Sequence, residues 1–181
     1  MSRRYSGFVN GAAASWDFNA ANSWSLCGWL YIASGSTGGG DILYMHPSAT
    51  PTTPWQIYIG YGRRSPDTGF ALRFRCGDGT TEVINQRVDA VTGQWYHLAL
   101  VHDTVANTIK AYVDGVQVNS QTINLAATYD YAELGDFGNN TVELAQVKVW
   151  NGYALSVGEL ADEIAYWTPQ HGIGNVYAWL Q

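Results

Sequence analysis

The chain has 181 residues and a formal net charge of −6, with only nine lysines and arginines. Because phosphate binding needs clustered positive charge, this balance argues against a nucleic-acid partner. Hydrophobic residues make up 46% and charged residues 13%, together with 20 glycines, eight tryptophans and 12 tyrosines. This composition excludes a disordered chain and is typical of many short strands joined by tight turns. The length predicts one domain over residues 1–181.

The N-terminus carries Arg3 and Arg4 but no apolar stretch after them, so no signal peptide is expected. Nowhere does the chain contain the roughly 18 consecutive apolar residues of a membrane-spanning helix. We therefore expect synthesis in a cytosol, without export by the general secretory route and without insertion into a membrane.

Strand signals recur at short spacing along the chain. The predicted strands are Arg3–Val9, Ser25–Ala33, Asp41–His46, Trp55–Tyr61, Phe70–Cys76, Trp95–Val101, Ile109–Val113, Val116–Asn119, Glu143–Trp150 and Val176–Leu180. Ser25–Ala33 is apolar at odd and even positions, which predicts a central strand buried on both faces. Trp55–Tyr61 and Phe70–Cys76 alternate instead, so each is expected to have one dry and one wet face.

Asp114-Gly115 lies between two alternating runs, and a two-residue loop of this kind predicts a type I′ hairpin because both residues tolerate positive φ. About ten strands and one short C-terminal helix then predict an all-β fold. The expected architecture is a sandwich of two antiparallel sheets.

The helix begins after Ser156, with Glu159 three residues later as the partner of a capping box. Its predicted apolar stripe consists of Leu160, Ile164 and Trp167. Asp162 and Glu163 fall on the predicted wet side, and Pro169 ends the helix. Being too short to cover a sheet, the helix is expected to plug one end of the sandwich.

Cys27 and Cys76 each lie inside a predicted strand. With cytosolic synthesis, two free buried thiols are the favoured interpretation. A disulfide between the two sheets stays open as the alternative. Zinc is not expected, since soft ligands at metal spacing are lacking.

Four stretches in order carry a resemblance to a known family: Ser23–Tyr31, Gly93–Asp103, Ala111–Gly115, and Ala145–Asn151 followed by Ala154–Ser156. Together they resemble the laminin-G-like family of the concanavalin-A-like lectin/glucanase superfamily. The resemblance implies a jelly-roll sandwich and a lectin-like binding role.

A looser similarity concerns the two ends. Met1–Tyr5 and Val176–Leu180 look like the ends of stand-alone laminin-G-like proteins found among bacteriophage structural genes. This similarity implies a virion protein that decorates a capsid or associates with a tail. Its partner would be a phage coat or tail protein, and it would be a candidate homo-oligomer.

The resemblance also bears on metal binding. Many relatives carry an aspartate that helps to hold calcium where this chain has Ala145, which cannot ligate a metal. Asp136 and Glu143 are nearby in sequence, but calcium needs six to eight converging oxygens. No cofactor is expected, although structural calcium is left open.

No catalytic arrangement is predicted. Glycosidases of the superfamily place paired carboxylates on one strand, whereas Glu133 and Asp136 have the wrong spacing to share a face. Gln56-Ile-Tyr58 is similar to a lyase strand but has tyrosine in place of the essential histidine. His102, like His97, is interpreted as a structural histidine rather than a base.

Binding is better supported than catalysis. If the apolar residues of the two alternating strands face the core, then Gln56, Tyr58, Arg73 and Arg75 face outward, where they suit a sugar; the alternative is an ordinary solvated face. His97 would join them if its strand were adjacent. A second candidate surface, for an interface, is formed by loop aromatics, namely Tyr44, Tyr61, Tyr129 and Tyr131.

The sequence thus predicts a non-catalytic protein, first as a phage virion component that contacts surface glycans. A free-standing carbohydrate-binding lectin module is the alternative. A polysaccharide-active enzyme is the third reading.

Overall fold

The computed structural model describes residues 3–4, 18–36, 39–47, 56–63, 69–123, 125, 128–129, 131–136, 142–166 and 168–180. Its strands are β1 (Arg3–Arg4), β2 (Phe18–Asn19), β3 (Trp24–Ile32), β4 (Gly40–His46), β5 (Ile57–Arg63), β6 (Phe70–Gly77), β7 (Glu82–Ala90), β8 (Trp95–Asp103), β9 (Thr108–Val113), β10 (Val116–Thr122), β11 (Thr128–Tyr129), β12 (Tyr131–Asp136), β13 (Val142–Asn151) and β14 (Val176–Leu180). One α-helix, α1 (Val157–Ala165), and a 3-10 turn (Ile173–Asn175) complete the described elements.

The strands form two main sheets. The seven-stranded sheet has the order β1-β13-β3-β8-β9-β10, with β14 also paired to β13, and the five-stranded sheet has the order β12-β4-β5-β6-β7. A short β2–β11 pair stands apart. All of these pairings are antiparallel. The predicted all-β two-sheet sandwich is confirmed.

The main core lies between the inner faces of the two sheets. Its members include Leu26, Leu30, Leu98, Leu100 and Ile109 from one sheet, and Leu43, Ile57, Ile59, Leu72 and Phe74 from the other. These are the positions at which the sequence alternates, so period two sets the inner face of each strand. Full burial of each such side chain contributes about 1.5–3 kcal/mol.

The two clearest local predictions hold. β3 lies between β13 and β8, which confirms the predicted central strand. Asp114 and Gly115 have φ values of 50° and 78°, as both residues of a type I′ turn require. β9 and β10 pair directly across this turn.

The helix α1 begins as predicted, because Ser156 and Glu159 form both halves of the capping box. Its predicted position is wrong. Leu160 packs with Cys27, Ala99 and Trp150, which face away from the main core, so α1 covers part of the outer face of the seven-stranded sheet. Trp167 of the predicted stripe lies outside the described residues.

The predicted wet side of α1 is also wrong at one residue. Glu163 is 0% exposed, and its carboxylate lies 2.7 Å from the Nζ of Lys148 on β13, which is likewise 0% exposed. The same ammonium donates to the carbonyl oxygens of Glu163 and Tyr166. The buried ion pair between Glu163 and Lys148 therefore joins α1 to β13, although the sequence predicts that Glu163 faces solvent.

Both cysteines are free and buried, which confirms the favoured interpretation. Cys27 faces the helix and Cys76 faces the main core, so the two thiols lie on different sides of the seven-stranded sheet. Burial raises the pKa of Cys27 to about 12. Burial also raises the pKa of Cys76, and neither thiol is a nucleophile at neutral pH.

Among the described strands, β2, β7, β11 and β12 were not predicted. β7 is an edge strand, and one of its inward positions is Gln86, whose side-chain oxygen accepts from Asn119 on β10 at 2.8 Å. This polar residue interrupts the apolar alternation by which a strand is recognised. The same contact links the edges of the two sheets.

No helix in the described ranges has the length and apolar character that crossing a membrane requires.

Candidate functional site

The outer face of the five-stranded sheet carries four of the predicted site residues. Tyr58 and Arg75 pair directly across β5 and β6, and Arg73 stands opposite Gly60. Their neighbours along each strand are core residues, so Tyr58, Arg73 and Arg75 point away from the core. All three are half-buried. Gln56 precedes β5 and is buried, which leaves its side chain little surface to offer a ligand.

Two glycines on β5 shape this face. A Cβ added to Gly60 would lie 2.2 Å from the hydroxyl oxygen of Tyr58, and one added to Gly62 would lie 2.9 Å from Cζ of Arg73. Tyr58 therefore lies flat over the backbone of its own strand, and the Arg73 guanidinium lies over Gly62. Because Gly60 and Gly62 have no side chains, they form a glycine strip over which the Tyr58 ring and the Arg73 guanidinium lie.

The charge of Arg75 is already compensated. Its Nε donates to the carboxylate of Glu82 at the start of β7. The other oxygen of that carboxylate accepts from Asn85 at 2.8 Å. This pair holds Arg75 in place and leaves it less able to attract a second anion.

Arg73 has a different neighbour, one that the sequence analysis missed. Arg87 of β7 stands directly opposite Arg73, so two arginines share one cross-strand pair on the outer face. Arg87 is exposed, and no hydrogen bond or ion pair engages its guanidinium within the described part of the chain. The alternation of Asn85, Arg87 and Asp89 with Ile84, Val88 and Ala90 is the sequence signal that could have placed it.

Aromatic residues extend the same face toward β4. The Tyr44 ring centroid is 6.4 Å from that of Tyr58 and 4.8 Å from that of His46. The Nδ1 atom of His46 lies 2.8 Å from the carbonyl oxygen of Pro47, which fixes the imidazole. Tyr44 thus belongs to a strand beside the candidate site rather than to a loop.

The remaining predicted interface tyrosines do not form one surface with Tyr44. Tyr61 is 1% exposed and lies in the main core, so its assignment to a loop surface was wrong. Burial also raises its pKa. Tyr129 and Tyr131 lie in β11 and β12, and their side chains are outside the described part of the structure.

His97 does not join the candidate site. Its strand, β8, lies between β3 and β9 in the other sheet, so the condition for His97 to join the site, a strand adjacent to β5 and β6, is not met. His97 is 1% exposed, and its ring centroid is 5.2 Å from that of Trp29. Burial, followed by the nearby charge of Lys148, lowers the pKa of His97 to about 4. The imidazole is neutral at pH 7 and is a packed structural group.

His97 marks instead an aromatic patch on the outer face of the seven-stranded sheet, made by Trp29, Tyr31 and Trp95. Trp95 is 36% exposed, and its ring centroid is 5.4 Å from that of Tyr31. Trp29 and Tyr31 are half-buried. Exposed tryptophan and tyrosine side chains are enriched at protein interfaces.

A groove of about 270 Å³ lies on that same outer face, beside the start of α1. It is lined by Val101, Asp103, Lys110, Tyr112, Ala154, Leu155, Ser156 and Val157. Its one lysine, Lys110, has no hydrogen bond or ion pair among the described residues. The groove is a rival location for a small polar ligand.

The candidate carboxylates and metal ligands are dispersed. Glu133 and Asp136 are three residues apart on β12, and their side chains lie outside the described part of the structure. Glu143 lies on β13 in the other sheet. Across the described residues, no three histidine, cysteine, aspartate or glutamate side chains come together as a metal site. Ala145 pairs with Trp29 on β3 and offers no ligand.

Comparisons with known proteins place this geometry in context. A family profile described as "Concanavalin A-like lectin/glucanases superfamily" matches residues 7–161. No curated protein sequence matches the chain.

Three solved structures illustrate the likeness of fold. A proposed carbohydrate-binding protein from Bacteroides ovatus ATCC 8483 superposes with a TM-score of 0.64 at 14% identity, over 91% of this chain and 47% of that one. The native heptameric SAP-like pentraxin of Limulus polyphemus gives 0.55 at 15% identity, over 81% and 71%. Trypanosoma rangeli sialidase gives 0.52 at 16% identity, over 77% of this chain but only 22% of the sialidase.

These similarities establish the fold. At such low identity they transfer neither ligand nor activity, and the sialidase match covers a minor part of that enzyme. None of the three structures is a phage protein, so the virion role stays a prediction from the sequence.

Proposed function

The chain belongs to the concanavalin A-like lectin/glucanase superfamily, and from this premise we propose that it is a non-catalytic carbohydrate-binding domain. The ligand surface is the outer face of the five-stranded sheet, centred on Tyr58 and Arg73. The observation that carries the proposal is the pair of glycines, Gly60 and Gly62, over which these two side chains lie flat.

This arrangement suits a sugar ring. A pyranose has one face of C–H groups that packs against an aromatic ring, and a rim of hydroxyls that needs polar partners. Tyr58 offers the ring, with Tyr44 beside it, while Arg73 supplies donors in a fixed planar fork. Because Gly60 and Gly62 carry no side chains, the Tyr58 ring and the Arg73 guanidinium lie close to the sheet, and a ligand would pack over them.

Catalysis is not proposed, because the described side chains of this face include no pair of unengaged carboxylates. Among its described residues, Glu82 is engaged by Arg75 and Asn85. Glycoside hydrolysis needs one carboxylic acid and one carboxylate flanking the scissile bond. We therefore expect binding without turnover.

A glycan array tests the proposal, with wild-type protein, Tyr58→Ala, and Tyr166→Ala as the matched control. Tyr166 is 53% exposed beside α1, far in sequence from the candidate face. We expect selective binding that Tyr58→Ala weakens about tenfold, the equivalent of about 1.4 kcal/mol, and that Tyr166→Ala leaves unchanged.

Repeating the array in EDTA tests the metal question. Since Ala145 cannot ligate calcium, binding is expected to persist without divalent ions. Equal binding by wild type and Tyr58→Ala would overturn the site assignment. Loss of binding in EDTA would restore a calcium role.

A second candidate function is assembly into a phage virion, by docking on a coat or tail protein. The observation that favours a docking role is the aromatic patch of Trp29, Tyr31 and Trp95, which lies on the opposite sheet from the proposed sugar face. The pentraxin is heptameric, so a protein of similar fold forms an oligomer. Both functions can reside in one molecule because the two faces differ.

Native mass spectrometry tests the self-assembly part of this candidate. A stable oligomer that Trp95→Ala dissociates, with unchanged glycan binding, would support docking through the patch. If the protein is a monomer at all concentrations, the proposed homo-oligomer is excluded. Docking on a coat protein would then be tested by binding to purified phage particles.

A further inference from the structure

We infer that the groove beside α1 binds a small organic carboxylate, held by the ammonium of Lys110, the hydroxyl of Tyr112 and the start of the helix. The groove lies on the outer face of the seven-stranded sheet, whereas the proposed sugar face belongs to the five-stranded sheet. The inference goes beyond the proposed function and does not rest on it. It arises from polar groups of the groove that no other described residue engages.

Tyr112 is the most deeply buried polar side chain of the groove. It is 2% exposed and packs in the outer apolar cluster with Leu155 and Leu160. Among the described residues, no hydrogen bond engages its hydroxyl. Burial raises the pKa of Tyr112, so the hydroxyl keeps its proton at neutral pH and can donate it. A covered hydroxyl without a partner is unfavourable, and an acceptor oxygen in the groove would supply the hydrogen bond.

Lys110 supplies the positive charge of the groove. It is half-buried on β9, opposite Val101 of β8, and no ion pair engages its ammonium within the described chain. The other charged residue of the lining is Asp103, whose carboxylate accepts from the backbone N–H groups of Val105 and Ala106 at 2.9 and 3.1 Å. The turn after β8 therefore stabilises the negative charge, whereas the positive charge is open to a ligand.

The start of α1 adds donors to the groove. The N–H groups of Val157 and Gly158 have no acceptor inside the helix, because the fourth N–H makes the first bond to a backbone carbonyl. The Ser156 Oγ atom accepts from the N–H of Glu159, so its own proton can be donated. The Glu159 carboxylate is itself engaged by the Ser156 N–H and the Tyr153 hydroxyl. The partial positive charge of a helix N-terminus favours an anion, as the lysine does.

The volume and the apolar lining limit the kind of anion. The groove of about 270 Å³ lies just below the roughly 300–1,000 Å³ of pockets for drug-sized molecules. Val101, Ala154, Leu155 and Val157 contribute its apolar walls. An inorganic ion would leave these walls in water, whereas a small carboxylic acid would cover them with its hydrocarbon part. A single lysine also matches the single charge of a carboxylate.

Carboxylates and their amides separate the charge of a ligand from its shape. Acetate, butyrate and benzoate are each compared with the corresponding amide, and binding is followed by NMR at the backbone amides of Val157 and Gly158. The titrations are repeated with Lys110→Gln and Tyr112→Phe. Arg87→Gln is the matched control, because it removes one exposed positive charge from the other sheet.

We expect at least one carboxylate to bind about tenfold or more tightly than its amide, with an affinity that falls as salt rises. Lys110→Gln should lower that affinity about tenfold and Tyr112→Phe about threefold. Arg87→Gln should change it by less than about twofold. Because no described residue engages the Tyr112 hydroxyl, Tyr112→Phe should melt like wild type, which separates a ligand contact from a structural role.

The inference fails on any of the following results. Equal affinity for acids and amides would show that the groove does not select a negative charge. An equal loss in Lys110→Gln and Arg87→Gln would reduce the binding to general charge attraction. Absence of shifts at Val157 and Gly158 with all three acids would show that the groove binds no small carboxylate. None of these results bears on the proposed function, which the glycan array tests through Tyr58.

Discussion

The outer faces of the two sheets differ in the residues that they carry, although both sheets consist of antiparallel strands. On the seven-stranded sheet, α1 covers a second apolar cluster that includes Cys27, Trp150 and Leu160. On the five-stranded sheet, the outer face carries Tyr58, Arg73 and the exposed Arg87. One face is packed under a helix, whereas no helix of the described ranges covers the other.

The placement of charge shows the same contrast. Under α1, Lys148 meets Glu163 with every donor engaged, and the second carboxylate oxygen of Glu163 accepts from the backbone of Gln170 and His171. On the open face, Arg73 meets another arginine. Complementary charge joins segments of the chain where stability is needed. The exposed charge of Arg87 lies on the face where a ligand is proposed to bind.

The largest expected effect comes from breaking the packed face. Glu163→Gln leaves the Lys148 ammonium buried without its counter-charge, so we expect the free energy of unfolding to fall by about 3–5 kcal/mol. Urea denaturation of wild type and Glu163→Gln measures this loss in the free energy of unfolding. Asp162→Asn is the control, since Asp162 is the adjacent residue with a side chain that is 55% exposed. Equal stability of the two variants would show that the buried pair does not anchor the helix.

We expect acid to lower the stability of the fold through His97, which lies on β8 of the seven-stranded sheet. Because the pKa of His97 is about 4 in the fold, against about 6.5 in the unfolded chain, the unfolded state binds the extra proton between these pH values. Stability is therefore full above pH 6.5 and falls by up to about 3 kcal/mol as the pH drops to 4. Burial lowers the pKa of His102 as well, in the same direction.

Thermal denaturation between pH 7.5 and 4 measures this loss, with His97→Gln as the comparison. The variant should show a shallower dependence of stability on pH over that window. A slope unchanged by His97→Gln would mean that other groups account for acid sensitivity.

The smallest effect on stability is expected on the open face. Gly62→Ala places a Cβ 2.9 Å from Cζ of Arg73 and is expected to displace the guanidinium. We expect affinity for the glycan ligand to fall about threefold and stability to change by less than about 1 kcal/mol. Gly69→Ala is the control, because a Cβ there meets no atom within 4 Å. Equal affinity of the two variants would show that the glycine strip does not position Arg73.

The sequence was sufficient for the architecture because period-two alternation and turn chemistry are local. The Asp114-Gly115 hairpin and the Ser156–Glu159 capping box followed from neighbouring residues alone. The outward positions of Tyr58, Arg73 and Arg75 followed from the same alternation.

What the sequence did not predict depends on partners distant in the chain. Glu163 is buried because Lys148 lies beneath it on β13, and helix periodicity contains no information about that strand. Arg87 was missed because Gln86 interrupts the apolar alternation of β7, and the side-chain oxygen of that glutamine accepts from Asn119 on the other sheet. His97 was misplaced because strand order, unlike strand content, is set by tertiary packing.

The most direct test of the contrast between the two faces is to map backbone amide shifts by NMR during titration with the tightest-binding glycan. We predict that shifts concentrate on β5, β6 and β7, with the largest at Gly60, Gly62, Arg73 and Arg87, and that amides of Val101, Lys110 and Leu155 stay unchanged. Shifts confined to the groove beside α1 or to the aromatic patch of Trp29, Tyr31 and Trp95 would contradict the assignment of the open face as the ligand surface.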